Sequence, residues 1–161
     1  MEFQTNLKLL SNETAFNDFS IRIPKSFFKE SDDEFSSFKN SLENQPNAVF
    51  NTTVLGAYVD SLGSMMVISR IDDDSLYDKL DDEFDQVLAT TFGGNAPIRA
   101  QFSINGVSIV HFQLYTDQLV NIKIFILNSF AIQLDFIVPR AYYNEYRGKI
   151  ESSISTFNAR K

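Results

Sequence analysis

The sequence predicts an α+β domain: a single antiparallel β-sheet meander with helices packed on both faces, an α/β/α sandwich. Three observations predict it. Segments of alternating apolar and polar residues fill the C-terminal half and are joined by short turn signals, Asn105-Gly106 above all. Three other stretches carry apolar residues at helical spacing instead. Finally, the strands are apolar on both faces, with Val110, Phe112, Leu114, Phe125 and Ile137 behind the isoleucine rows, and such a sheet needs cover on both faces. At 161 residues the chain suits one domain. Its core is expected over about residues 16–158.

Residues 18–24 place Phe19, Ile21 and Ile23 on one face of a first strand that ends at Pro24. Ser31-Asp32-Asp33-Glu34 is a capping box whose acids favour the positive end of a helix dipole, and Phe35, Phe38 and Leu42 follow at helical spacing. A helix over 31–44 follows, ending before Pro46. Strands over 51–59 and 64–71 turn near Leu62-Gly63. A second helix is predicted over 75–92, with Tyr77, Leu80, Phe84, Val87 and Thr91 on one face and Gly93-Gly94 as its stop.

The type I′ turn at Asn105-Gly106 pairs Ile104 with Val107, Phe102 with Ile109 and Ala100 with His111. After a loop at 116–119, Val120, Ile122, Ile124 and Ile126 share one face of the next strand, and Phe130, Ile132, Leu134 and Phe136 one face of the last. A two-residue turn between those strands would set isoleucines against Gln133 and Asp135. The three-residue loop Leu127-Asn128-Ser129 sets Ile126, Ile124 and Ile122 against Phe130, Ile132 and Leu134, and is predicted for that reason. A final helix over 139–158 starts at Pro139 and buries a stripe of Tyr143, Tyr146, Ile150, Ile154 and Phe157. Eleven of the sixteen Phe fall on these elements; Phe3, Phe16, Phe27, Phe28 and Phe50 do not.

Composition narrows the function. With 43% hydrophobic and 22% charged residues the chain matches a folded protein and not a disordered one. No run approaches the ~20 apolar residues of a membrane span. Cysteine is absent, which removes disulfides, thiolate catalysis and Cys-based metal sites. Net charge is -7, eight of the 21 acids lie between Asp72 and Asp85, and no basic stripe exists, so nucleic acid and anionic lipid are poor partners. Met1-Glu2-Phe3-Gln4 lacks the basic and apolar regions of a signal peptide. The expected location is the cytosol, or the periplasm or envelope if a leader has been removed.

No catalytic, cofactor-binding or metal-binding constellation emerges. His111 is the sole histidine, leaving zinc sites and Ser-His catalysis little to build on; it is expected as a structural, hydrogen-bonded interior residue beside Ile109, Ile124 and Ala100. The Asp72-Asp73-Asp74 run, with Glu83 twelfth, has a calcium-loop flavour, but Tyr77 stands where the loop needs Gly, so the acids are read as capping a helix. Gly93-Gly94 lacks the Lys and following helix of a phosphate loop. Asp117 and Asp135, the only acids of the C-terminal strands and their loops, have no evident partner for hydrolytic chemistry. Four residues stand out as candidate partner contacts. Tyr142 and Arg147 project away from the helix stripe and are of types enriched at interface hot spots. Met65 and Met66 sit beside the Leu62-Gly63 turn, where flexible Met surfaces suit apolar ligands and core packing is the competing reading.

Two end signatures carry a family resemblance. Phe19-Ser20-Ile21-Arg22-Ile23-Pro24, with Phe27 or Phe28 after it, is similar to the opening strand of the PsbP-like superfamily. Ile132-Gln133-Leu134-Asp135-Phe136-Ile137-Val138-Pro139, running into Tyr143, Tyr146 and Ile150–Phe157, resembles its closing strand, proline and amphipathic helix. The superfamily includes photosystem PsbP proteins, a Ran-binding nuclear-transport factor and bacterial DcrB-like proteins. The resemblance implies a non-catalytic binding or accessory domain with a protein partner, in one version a chaperone whose partly Phe-lined groove takes an apolar helix of its client. A second copy of the chain is a further candidate partner. The alternative is a carrier of a small apolar ligand in a pocket between helix and sheet.

Overall fold

Both residues of the Asn105-Gly106 turn take positive φ, 52° and 77°, as a type I′ hairpin requires. The turn joins β6 (Ile98–Ile104) to β7 (Val107–Tyr115) in the expected register, with Ile104 opposite Val107, Phe102 opposite Ile109 and Ala100 opposite His111. The structure is a computed structural model describing residues 5–44, 51–72, 98–127 and 131–159. The predicted helix over 75–92, its Gly93-Gly94 stop, most of the acidic run, Phe3 and Phe50 lie outside the described residues.

The remaining strands are β1 (Leu10–Ala15), β2 (Phe19–Pro24), β3 (Phe28–Lys29), β4 (Thr52–Val59), β5 (Met65–Ile71), β8 (Leu119–Leu127), β9 (Ala131–Pro139) and β10 (Asn158–Ala159). Two helices are described, α1 (Asp32–Glu43) and α2 (Tyr143–Ser155). The described strands form two antiparallel sheets, where the sequence predicts one. Seven run in the order β3-β4-β5-β9-β8-β7-β6, and three in the order β1-β2-β10. The first predicted strand, β2, belongs to the small sheet: it pairs with β1, a polar strand the apolar alternation does not reveal, and with β10, two residues beyond the last helix.

Helices on both faces are not what the described residues show. α2 and the small sheet share one face of the large sheet. There Phe19, Ile21 and Ile23 join Ile122, Ile124, Ile126, Leu134 and Phe136, with Tyr146, Ile150, Ile154 and Phe157 from α2 and the residues after it. Helix α1 buries no residue fully and serves an edge. Its N-terminus is capped as predicted, with Ser31 Oγ accepting from the Glu34 N–H. Near its other end, Glu43 accepts from the Val54 N–H at 3.0 Å, and Lys39 donates to the Val54 carbonyl at 3.3 Å and to Glu43. Val54 thus turns both backbone groups away from β5 and has them met by α1, which blocks an exposed strand edge. The lysine hydrogen bond holds the Glu43 carboxyl below its usual range.

The opposite face of the large sheet holds a second buried cluster of Ile71, Val110, Phe112, Leu114, Phe125 and Leu127. On the same face Asp135 does have partners: Lys123 at 2.8 Å and Gln133 at 2.7 Å.

Two further expectations need correction. Strand β9 pairs with β8 two residues out of the predicted register, with Leu127 opposite Ala131, Ile126 opposite Ile132 and Ile124 opposite Leu134. Residues 128–130, which hold most of the predicted loop together with Phe130, lie outside the described residues. A shift of two leaves every side chain on its predicted face, so apolar alternation cannot distinguish the registers. Pro139 ends β9 rather than starting the helix, and a 3-10 turn at Arg140–Tyr142 leads into α2. Of the unassigned Phe, Phe16 is half-buried on Phe19, Phe27 is buried, and Phe28 is 57% exposed.

Candidate functional site

The two flanks of α2 meet different neighbours. On one, Ser153 Oγ donates to the Arg22 carbonyl at 2.6 Å, Thr156 Oγ1 accepts from the Arg22 N–H at 2.9 Å, and Ser152 Oγ accepts from the Asn6 N–H at 3.0 Å. That flank is sealed against β2 and the N-terminal segment. The other flank faces β7 and leaves a cleft of about 190 Å³ lined by His111, Gln113, Tyr115, Ile122, Tyr143, Arg147, Ile150, Glu151 and Ile154. The spacing explains the lining. His111, Gln113 and Tyr115 alternate onto one face of β7, and Tyr143, Arg147 and Glu151 recur every fourth residue along α2.

The floor is apolar: Ile122, Ile150 and Ile154 have at most 2% of their surface exposed. The rim is polar. Arg147 Nε donates to Glu151 at 3.1 Å, which raises the already high guanidinium pKa. Gln113 Nε2 donates to the Tyr115 hydroxyl. The Tyr115 and Tyr143 rings meet edge to face at 6.4 Å, and burial raises the Tyr143 pKa. The Arg140 guanidinium lies over the Tyr115 ring at 5.3 Å.

His111 departs from expectation. It lies beside Ala100 and Ile124 as predicted, but among the described residues neither ring nitrogen has a hydrogen-bond partner, and both are shielded from solvent. Burial lowers its pKa, with the Glu151 charge opposing in part, so the ring is neutral at pH 7. The Phe102 ring stands edge-on to it at 6.5 Å.

Of the predicted contact residues, only Arg147 lines the cleft. Tyr142 is 43% exposed on the 3-10 turn that leads into α2. Met65 is half-buried on β5 between Val59 and Ile137, on the sheet face away from α2. Met66, by contrast, has no exposed surface and belongs to the core. Among the described residues that line the cleft there is no Phe. Sequence reasoning missed Gln113, Tyr115 and Glu151; the signal was present in the alternation Gln113, Tyr115 facing the four-residue recurrence Tyr143, Arg147, Glu151. Among the described residues no three His, Asp or Glu side chains gather as a metal-binding group. No described helix is long and apolar enough to cross a membrane.

Among the described residues, α2 and the small sheet lie on one face of the seven-stranded antiparallel sheet, and this fold resembles a solved structure. The solution structure of cyanobacterial PsbP (CyanoP) from Synechocystis sp. PCC 6803 superposes with a TM-score of 0.58, covering 92% of this chain and 92% of that one at 10% identity. The fold is PsbP-like. At that identity the likeness concerns architecture alone. No protein-family model matches the chain, and no curated protein matches its sequence.

Proposed function

We propose that this PsbP-like chain is a non-catalytic accessory domain that binds a protein partner along the free flank of α2. The observation that carries the reading is the cleft bordered by Tyr115, Tyr143 and Arg147, with exposed Tyr142 on the turn leading into the helix. Tyrosine and arginine around a small, partly desolvated pocket are the residue types on which binding energy concentrates. The PsbP-like architecture supports an accessory role, since the superfamily resemblance implies binding modules.

The carrier reading takes second place. The cleft does lie between helix and sheet, as a carrier would need. At about 190 Å³, however, it is smaller than the ~300–1,000 Å³ of small-molecule sites, and its rim is polar. The test is recovery of a stoichiometric partner by the full chain, compared with a Tyr142→Ala/Arg147→Ala variant of unchanged fold. Recovery by the wild type and its loss in the variant are expected. Equal recovery by both, or none by either, would contradict the reading.

A further inference from the structure

We infer that the cleft receives an uncharged ring with a polar edge, a tyrosine side chain presented by the partner; this rests on the protein-binding reading above. Size comes first. A dry cavity of ~150 Å³ already accepts a benzene ring, so about 190 Å³ admits one substituted ring and little more.

Charge comes second. Among the described residues lining the cleft the only formal charges, Arg147 and Glu151, are paired with each other, and burial keeps His111 neutral. An entering ion would give up its water for a floor of Ile122, Ile150 and Ile154 while the opposing charges are already engaged.

Polarity comes third. A phenylalanine ring would cover the Tyr143 hydroxyl and the remaining hydrogen-bonding capacity of Tyr115 and Gln113, which are bonded to each other, while offering no hydrogen bond, a net loss. A phenol fills the same volume, lays its ring on the isoleucines and supplies a hydroxyl that both donates and accepts. The existing edge-to-face contact of Tyr115 with Tyr143 can extend to a third ring.

The chain carries its own reporter, since His111 is the only histidine and its ring lines the cleft. The full chain is titrated with 4-methylphenol while the His111 ring C–H signals are followed by NMR. A saturable shift is expected, with toluene binding about 2- to 10-fold more weakly for want of one hydrogen bond. Acetate and methylguanidinium should leave the signals unmoved. In Tyr143→Phe, which keeps the ring and loses the hydroxyl, the gap between 4-methylphenol and toluene should narrow. No saturable shift, an equal response to toluene, or a response to either ion would overturn the inference. Arg147-dependent partner recovery with a cleft silent to 4-methylphenol would sink the tyrosine assignment and leave the protein-binding reading standing. Binding of 4-methylphenol with no Arg147-dependent partner would overturn the assignment to a partner's side chain.

Discussion

The Tyr146 hydroxyl donates a hydrogen bond to the Asp60 carboxylate, tying α2 to the hairpin between β4 and β5 across 86 residues of chain. Asp60 is itself the clasp of that hairpin, accepting from the Leu62 N–H at 3.0 Å and the Ser64 N–H at 2.9 Å. Both residues are buried, at 2% and 8% exposure. Tyr146→Phe keeps the ring and leaves one Asp60 oxygen without this partner. We expect a loss of about 1–3 kcal/mol in urea unfolding, with Tm falling by ~2–4 °C for each kcal/mol. Burial, and then the Asp60 bond, push the Tyr146 hydroxyl up to about 12 from 10.0. A raised pKa means the contribution is complete below pH 10.0 and disappears as pH climbs through about 12. An unchanged unfolding midpoint in the variant would refute this clasp.

His111 sets a second pH limit with the opposite sign. Its folded pKa lies below the 6.5 of the unfolded chain because burial penalises the imidazolium. The unfolded state therefore binds the extra proton first. Stability should be level above about pH 6.5 and fall below it by up to ~1.4 kcal/mol per pH unit. His111→Leu, similar in bulk and without the orphaned nitrogens, should flatten that fall. Glu43, held below 4.5 by Lys39, acts in a lower window, so the two are separable. Urea unfolding at several pH values checks this; the same slope in wild type and variant would exclude His111 as its source.

Backbone geometry alone should make Gly106 costly to replace. A Cβ built there meets nothing within 4 Å, so any penalty of Gly106→Ala comes from its φ of +77°. The expected loss is about 1–2 kcal/mol. A neutral Gly106→Ala in equilibrium unfolding would show that the turn does not hold the register of β6 and β7.

What the sequence disclosed follows the physics of each signal. The Asn105-Gly106 turn fixes conformation and register together, so all three predicted pairs are found. The Ser31 cap is a local pattern and is also found; of the predicted helix stripe, Tyr146, Ile150, Ile154 and Phe157 are buried, while Tyr143 is half-buried at the cleft. The β8–β9 register was not legible, because alternation specifies faces and is blind to a shift of two. The second sheet was hidden because β1 (Leu-Ser-Asn-Glu-Thr-Ala) is polar, and β10 is two residues long. In the cleft, Arg147 could be singled out by type and position. His111 could be placed but not read, since a missing hydrogen bond is a property of the surroundings and not of the residue. Met66 was ambiguous because β5 is apolar on both faces; only packing decides which Met is core.

If the flank of α2 is a hot spot, Arg147→Ala alone should weaken the partner's affinity by about tenfold or more. The most direct measurement is photo-crosslinking from a reactive residue placed at Tyr142, with one at Leu7, also exposed but away from the cleft lining, as the control. The account predicts one partner crosslinked from position 142, lost on Arg147→Ala and absent from position 7. Equal crosslinking from both positions, or crosslinking from 142 indifferent to Arg147→Ala, would contradict it.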